Sequence, residues 1–385
     1  MKIGIDKIGF FTSNLYVDMA KLAVARNVDP NKYLIGIGQT KMAVIPPTQD
    51  VVTLAANAAN RILTVADKEQ IDMVLLATES GIDNSKSAAA YVANLLGLNE
   101  KIRVVELKQA CYGATAALQL ARTYIAVHPT SKILVIGADI ARYGLNTPGE
   151  PTQGGGAVAM LVTKDPAILA IEDESSYLTR DIMDFWRPLG HYEALVDGKY
   201  SSDVYLDFFN TVFTDYKSKT GLKTVDFSSL LFHLPYTKLG LKALRLAVSD
   251  LDKRIITKLN EEFENSRIYS KKVGNLYTGS LYLSLLSVLE NSQDLLPGQR
   301  LGLFSYGSGA EGEFYSGILQ SKFKQQLIGH KELLKNRKEV TVAEYEKIYK
   351  ATVTSQTNIQ LDYQNDPATF IFSGIDNNKR QYLHR

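Results

Sequence analysis

Cysteine is nearly absent from this chain. Cys111 is the only one in 385 residues. A single cysteine excludes an intrachain disulfide and any zinc site built from several thiolates, and it fits a reducing cytoplasm. Histidine is also scarce. His128, His191, His233, His330 and His384 form no HxxxH or HExxH pair, so no metal is expected. Charge of either sign is nearly balanced, at a net +2, which gives no electrostatic case for nucleic acid or a membrane surface. No apolar run approaches the roughly 20 residues of a membrane-spanning helix. The first residues, MKIGIDKIGFFTSNLYV, lack the apolar segment and small-residue cleavage site of a secretory leader. What remains is ordinary: 45% hydrophobic and 22% charged residues, in a chain too long for one small core.

Strand-like runs alternate with helical periods, which predicts an α/β fold with much parallel pairing. In the first half, Ile71–Thr78 (IDMVLLAT) reads as a buried strand and Ser85–Leu96 as a helix. Arg103–Leu107 is a short strand, a helix runs from Cys111 to about Val127, and Lys132–Ile140 and Ala157–Thr163 are two more strands. In the second half, Ser229–His233 reads as a strand end, Leu239–Ala247 as a helix, and Lys272–Ser280 as a loop opening another helix. Arg300–Tyr306 and Glu313–Gln320 read as neighbouring strands. The aromatic-rich stretch Asp184–Asp215 looks like an insertion with peripheral helix. The charged tail after about Lys324 has one clear helix, with Thr341 and Glu344 spaced as a capping box. The halves divide near residue 165, giving units 1–165 and 166–385. Glu79 and His233 each follow a central strand; Cys111 and Asn275 each open a helix. The similar offsets suggest an internal duplication.

Four polar side chains and a basic pair draw attention on position alone. Cys111 stands where a helix begins, a place that can lower a thiol pKa and favour the thiolate. Small neighbours, Ala110, Gly113 and Ala114, leave room for a carbonyl to reach the sulfur. The competing reading is a buried cysteine packing as a small hydrophobe. His233 ends an apolar strand before Leu234-Pro235 and could exchange a proton near pH 7. Glu79 follows VLLAT at the carboxyl end of a strand, where α/β sheets collect ligands and burial raises a carboxyl pKa. Ser308 lies in a glycine-flanked turn whose N–H groups can face an anion. That turn is not a GxSxG elbow. Gly154-Gly155-Gly156 has no following helix and reads as close backbone packing, and no Walker motif is present. Lys238 and Lys242 share a helical face near His233, as an anchor for a phosphorylated group or simply as a solvated basic face.

In order along nearly the whole chain, ten segments resemble the 3-hydroxy-3-methylglutaryl-CoA synthases of the shorter bacterial type, within the thiolase superfamily. They are IGIGQTKMAV (35–44), ATES (77–80), ELKQACYGATAAL (106–118), GADIARY (137–143), PTQGGGAVAM (151–160), DFWRP (184–188), LVDGKYS (195–201), FHLPYTKLGLKAL (232–244), GNLYTGSLYLSL (274–285) and FSYGSGAEGEFYSG (304–317). The resemblance implies a thiolase-like, duplicated αβαβα five-layer core and a cytoplasmic homodimer. It implies condensation of acetyl-CoA with acetoacetyl-CoA, with CoA thioesters as substrates and no further cofactor. In its terms Cys111 is the acylated nucleophile, Glu79 the general base and acid, and His233 the residue serving the acetoacetyl group. Asn275 and Ser308 match contacts to the acyl chain or thioester oxygen. Thr152, Ser201, Lys238 and Lys242 match further substrate or CoA contacts, and Asp29 and Tyr143 match positions near the site. YGLNTPGEPT (143–152) is not clearly colinear with other members, so Asn146 is left unassigned. Two other readings share parts of this set. A β-ketoacyl synthase of the same superfamily would use Cys111, His233 and Asn275 without needing Glu79. A non-catalytic thiolase-like scaffold would bind acyl-CoA only.

Overall fold

The computed structural model describes residues 1–354 and 356–385. Nine strands form its main sheet: β1 (Ile3–Phe11), β2 (Ile71–Ala77), β3 (Arg103–Leu107), β4 (Lys132–Ala141), β5 (Gly154–Lys164), β6 (Leu169–Thr179), β7 (Ser229–Phe232), β8 (Arg300–Gly307) and β9 (Glu311–Leu319). Their order is β7-β8-β9-β6-β1-β5-β4-β2-β3. The same pattern occurs twice. In the N-terminal half β2 is parallel to β4, β4 antiparallel to β5, and β5 antiparallel to β1. In the C-terminal half β7 is parallel to β8, β8 antiparallel to β9, and β9 antiparallel to β6. The halves join where Gly4 and Ile5 of β1 meet Ala170 and Leu169 of β6.

Helices complete five layers. Strands β2, β4, β5 and β8 are near-continuous buried runs because both of their faces are covered. On one outer face, α1 (Val51–Asn60) and α2 (Ala88–Leu95) pack with β2, β4 and β5. Between the two sheet halves lie α3 (Gly113–Val127) and, later in the chain, the helix Ser280–Asn291. On the other outer face, α4 (Gly198–Thr220), α5 (Thr237–Ala247) and α6 (Lys253–Ser266) pack with β7, β8 and β9. The Ser280–Asn291 helix is α7. All ten of its residues from Ser280 to Leu289 are buried, as expected of a helix enclosed on every side. Its layer mate α3 buries Ala114, Ala117, Leu118, Ala121 and Ile125 at helical spacing.

The stretch expected to be an insertion divides in two. Phe185–Trp186 and Leu195–Val196 form a small hairpin separate from the main sheet. The rest is α4, which is a core layer and not peripheral. Its Tyr205, Phe208, Phe209, Val212, Phe213 and Tyr216 recur every three to four residues, so one face is continuously aromatic and covers the sheet. The expected loop Lys272–Ser280 also differs. Ser270–Val273 is a helical turn, and Tyr277–Gly279 is a second turn leading into α7. In the tail, helix Val342–Lys350 carries the Thr341/Glu344 capping box. Beyond it, β10 (Phe370–Asp376) and β11 (Lys379–His384) dock on α1, where Asn57 exchanges two hydrogen bonds with the Phe370 backbone. No described helix is long and apolar enough to cross a membrane.

Candidate active site

Equivalent elements of the two halves bring their polar ends to one region. Glu79 follows β2 and His233 follows β7, the matching strand of the other half. Cys111 precedes α3, and Asn275 precedes the turn into α7. Two glycines let these segments meet. A Cβ on Gly307, at the end of β8, would stand 2.6 Å from both the Gln109 carbonyl and the Tyr112 nitrogen. A Cβ on Gly154 would stand 2.6 Å from the Asn275 nitrogen. The triple glycine therefore serves close backbone packing, as its sequence context indicated.

The central contact joins Cys111 to Glu79. The thiol donates to Glu79 Oε1 across 3.0 Å. Burial, then the nearby Asp139 charge, push the Glu79 carboxyl up to about 8. The Cys111 thiol is pushed well above its ordinary range, first by burial and then by the charge of Glu79 and the hydrogen bond to it. This reverses the expectation of a helix-stabilised thiolate. Three carboxylates, Glu79, Asp139 and Asp184, act on the sulfur, while α3 begins only at Gly113. Ala110, just before the nucleophile, holds a φ of +42°, a strained region for alanine.

His233 is buried, and burial alone drives its pKa down to about 3. It is therefore neutral near pH 7. Its backbone is fixed on both sides: its N–H donates to Phe304 O at 2.9 Å, and Tyr205 OH donates to its carbonyl at 2.8 Å. Nδ1 is buried and has no hydrogen-bond partner among the described residues. Asn275 has a set orientation. Its Oδ1 accepts from Tyr277 N and Ser280 Oγ at 2.8 and 2.9 Å, leaving Nδ2 to face Tyr143 OH at 3.4 Å. Tyr143, Tyr277 and Phe185 form an edge-to-face aromatic cluster beside these groups.

Two buried aspartates were missed by reading the sequence. Asp139, at the end of β4, accepts from Thr78 Oγ1, Glu79 N and Ser80 Oγ through one oxygen, and from Thr278 N and Oγ1 through the other. It clamps the Glu79 loop to the opposite half. Asp184 accepts from Tyr306 OH and Ser201 Oγ at 2.8 and 3.1 Å and from Gly309 N at 2.8 Å. The available signal was a carboxylate ending an apolar run in KILVIGAD, the same cue that marked Glu79.

The remaining expected residues are spread more widely. Ser308 sits in the β8–β9 turn, beside the Cys111 loop that Gly307 touches. Ser201 is engaged with Asp184, and Thr152 donates to Gly149 O at 2.8 Å. Asp29 and Lys242 are exposed and Lys238 is half-buried. Both lysines lie on α5, an outer-layer helix whose Thr237 donates to Ile37 O and Gly38 O. Among the described residues no cluster of His, Cys, Asp and Glu has the form of a metal site.

The model for the N-terminal part of hydroxymethylglutaryl-coenzyme A synthase matches residues 1–167, and that for the C-terminal part matches residues 250–384. A hydroxymethylglutaryl-CoA synthase of Enterococcus faecalis is 51% identical over 384 residues, covering 99% of this chain and 100% of its own length. The crystal structure of an HMG-CoA synthase complexed with CoA matches with a TM-score of 0.97 at 46% identity, over 100% of both chains. A structure of MvaS in complex with 3-hydroxy-3-methylglutaryl coenzyme A matches with a TM-score of 0.89 at 35% identity, over 100% of this chain and 99% of that one. These relatives share the thiolase-like layering described above, and this chain belongs to the hydroxymethylglutaryl-CoA synthase family.

Proposed function

We propose that this chain condenses acetyl-CoA with acetoacetyl-CoA and water to give 3-hydroxy-3-methylglutaryl-CoA and CoA, with Cys111 as the acetylated nucleophile. The observation that carries these roles is the 3.0 Å hydrogen bond from Cys111 Sγ to Glu79 Oε1. A thiol held neutral by burial needs a base at the moment of attack, and the adjacent carboxylate, with its affinity for protons raised, is that base. Sγ attacks the acetyl carbonyl as Glu79 takes the thiol proton; the bond from the carbonyl carbon to the CoA sulfur then breaks, and Glu79 passes that proton to the departing CoA thiolate and is a base again. Gly309 N–H is committed to Asp184, and the N–H groups of Cys111 and Ser308, which have no hydrogen-bond partner among the described residues, are the donors left for the oxyanion. One such donor contributes about 2.7–4 kcal/mol.

Glu79 then removes a proton from the acetyl methyl group. The resulting enolate attacks the ketone carbon of acetoacetyl-CoA. Neutral His233 and the Asn275 amide donate hydrogen bonds to carbonyl oxygens, and the proton on Glu79 returns to the new alkoxide. Water activated by Glu79 finally cleaves the Cys111 thioester. Lys238 and Lys242, which form no ion pair among the described residues, supply cations for the CoA phosphates on the outer surface. Asp29, Tyr143, Thr152 and Ser201 shape the same path, Ser201 through Asp184. A β-ketoacyl synthase would generate its carbanion by decarboxylation and would have no use for the Glu79 contact, and a scaffold would need neither Glu79 nor a reactive thiol.

The test is the intact mass of the protein after brief exposure to acetyl-CoA and then to acetoacetyl-CoA. One acetyl group on Cys111, followed by its loss with release of a six-carbon thioester, supports the reading. No adduct on folded protein rejects Cys111 as nucleophile. A homodimer is part of this proposal. β3 ends the sheet with an unpaired edge, and its Val105 is 43% exposed, the profile of a strand that meets another chain. A monomeric mass by sedimentation would refute it.

A further inference from the structure

Glu313 is a buried carboxylate that the chemistry above does not use. It lies on β9, is 2% exposed, and is followed in the strand by buried Phe314 and Tyr315. Burial raises its pKa. A carboxylate in such a place is costly unless its hydrogen bonds do something an apolar side chain cannot. Its partners are specific. Tyr112 OH donates to Oε2 at 2.7 Å and Gln119 Nε2 donates to Oε1 at 2.7 Å. Tyr112 is the residue after Cys111, and Gln119 lies two turns along α3.

These bonds cross between the two halves. Glu313 belongs to the C-terminal half, and Tyr112 and Gln119 to the N-terminal half. A third crossing sits between them, where Thr115 Oγ1 donates to Ser305 Oγ at 2.8 Å. The first two turns of α3 are thus bolted to β8 and β9, next to the contact of Gly307 with the Tyr112 backbone. On the other side of the sulfur, Ala110 is held at a φ of +42° that it would leave if free. The nucleophile therefore sits between a strained residue and an anchored one.

We propose that Glu313 is a positioning residue for Cys111, acting through Tyr112. The Tyr112–Glu313 bond keeps the 110–112 peptides from relaxing, and so keeps Sγ on Glu79 and aligned for attack. This inference rests on Cys111 being the nucleophile. Glu313 touches neither substrate nor sulfur, so its removal changes the rate of acyl transfer and not the binding of acetyl-CoA.

The experiment is a double-mutant cycle on full-length protein. It measures the single-turnover rate of Cys111 acetylation at saturating acetyl-CoA, together with the acetyl-CoA concentration giving half the maximal rate. Tyr112→Phe and Glu313→Leu are each expected to slow acetylation about 10- to 100-fold, the usual penalty for a nucleophile displaced by about an ångström, with the half-saturating concentration unchanged. The double variant is expected to be no slower than either single one. Glu313→Gln, which retains an acceptor for Tyr112, is expected to recover most of the rate. Multiplicative losses in the double variant overturn the proposal, as does a shift in half-saturation alone, or a lowered Tm with an unchanged rate. If Glu313→Leu does not fold, Tyr112→Phe with a normal rate overturns it alone. Absence of acetylation in the unmodified protein instead condemns the nucleophile assignment, which separates the two failures.

Discussion

At the residue scale, burial disfavours the charged form of each functional group. The thiol beside a helix start is more protonated than in water, and the histidine is less so. Glu79 follows the same rule, since burial and Asp139 both disfavour its charge. Its base form grows in as pH rises towards about 8, so the condensation rate should climb through that range to a plateau. No second limb near pH 6–7 is expected, because His233 titrates near 3. A pH–rate profile of kcat checks both points. Glu79→Gln should reduce condensation about 10²- to 10⁴-fold, the usual worth of a positioned acid–base group, measured as steady-state turnover. His233 also leaves a mark on stability. Its folded pKa is depressed below the unfolded value of 6.5, so the folded state binds fewer protons between about 3 and 6.5. The unmodified protein should lose stability relative to His233→Gln as pH falls through that window, and denaturant titrations at several pH values would measure it.

At the element scale, α4 is the clearest case of pattern governing position. Its aromatic face is a period of three and four, and its buried rings interlock with Phe304, Tyr306 and Phe314 of β8 and β9. Phe209, 1% exposed, stacks on Phe213 and meets Phe232 and Phe304. Phe209→Ala should cost about 3–5 kcal/mol by urea denaturation, because the ring leaves a cavity the rigid sheet cannot close. The sequence announced this helix through its spacing. It was obscured by the irregular hairpin before it, and by the expectation that an aromatic stretch between two duplicated halves is an addition.

At the scale of the whole molecule, the two halves meet through their polar networks as well as through β1 and β6. Asp139 of one half holds Thr278 of the other and the backbone of Glu79. Its charge is also the second cause, after burial, of the raised Glu79 pKa. Neutralising it in Asp139→Asn should therefore move the Glu79 limb of the pH–rate profile to lower pH. An unmoved limb would mean that the carboxylates do not sense each other.

Sequence alone carried a large share of this account. Apolar runs ended by polar residues located β2, β4, β7 and β8 because a strand enclosed on both faces must be apolar throughout. The capping box at Thr341 was legible because its hydrogen bonds are local. Glu79, Cys111 and His233 stood out as polar residues at the ends of such elements, and the ordered set of segments placed the chain in its family. Only the tertiary structure decided what those residues experience. Whether Cys111 is a thiolate depends on which carboxylates surround it, and these arrive from β2, β4 and the segment before α4. Whether Glu313 faces solvent or Tyr112 depends on how two halves dock. Periodicity is a property of neighbours in the chain, whereas desolvation, Coulomb fields and cross-half hydrogen bonds depend on neighbours in space.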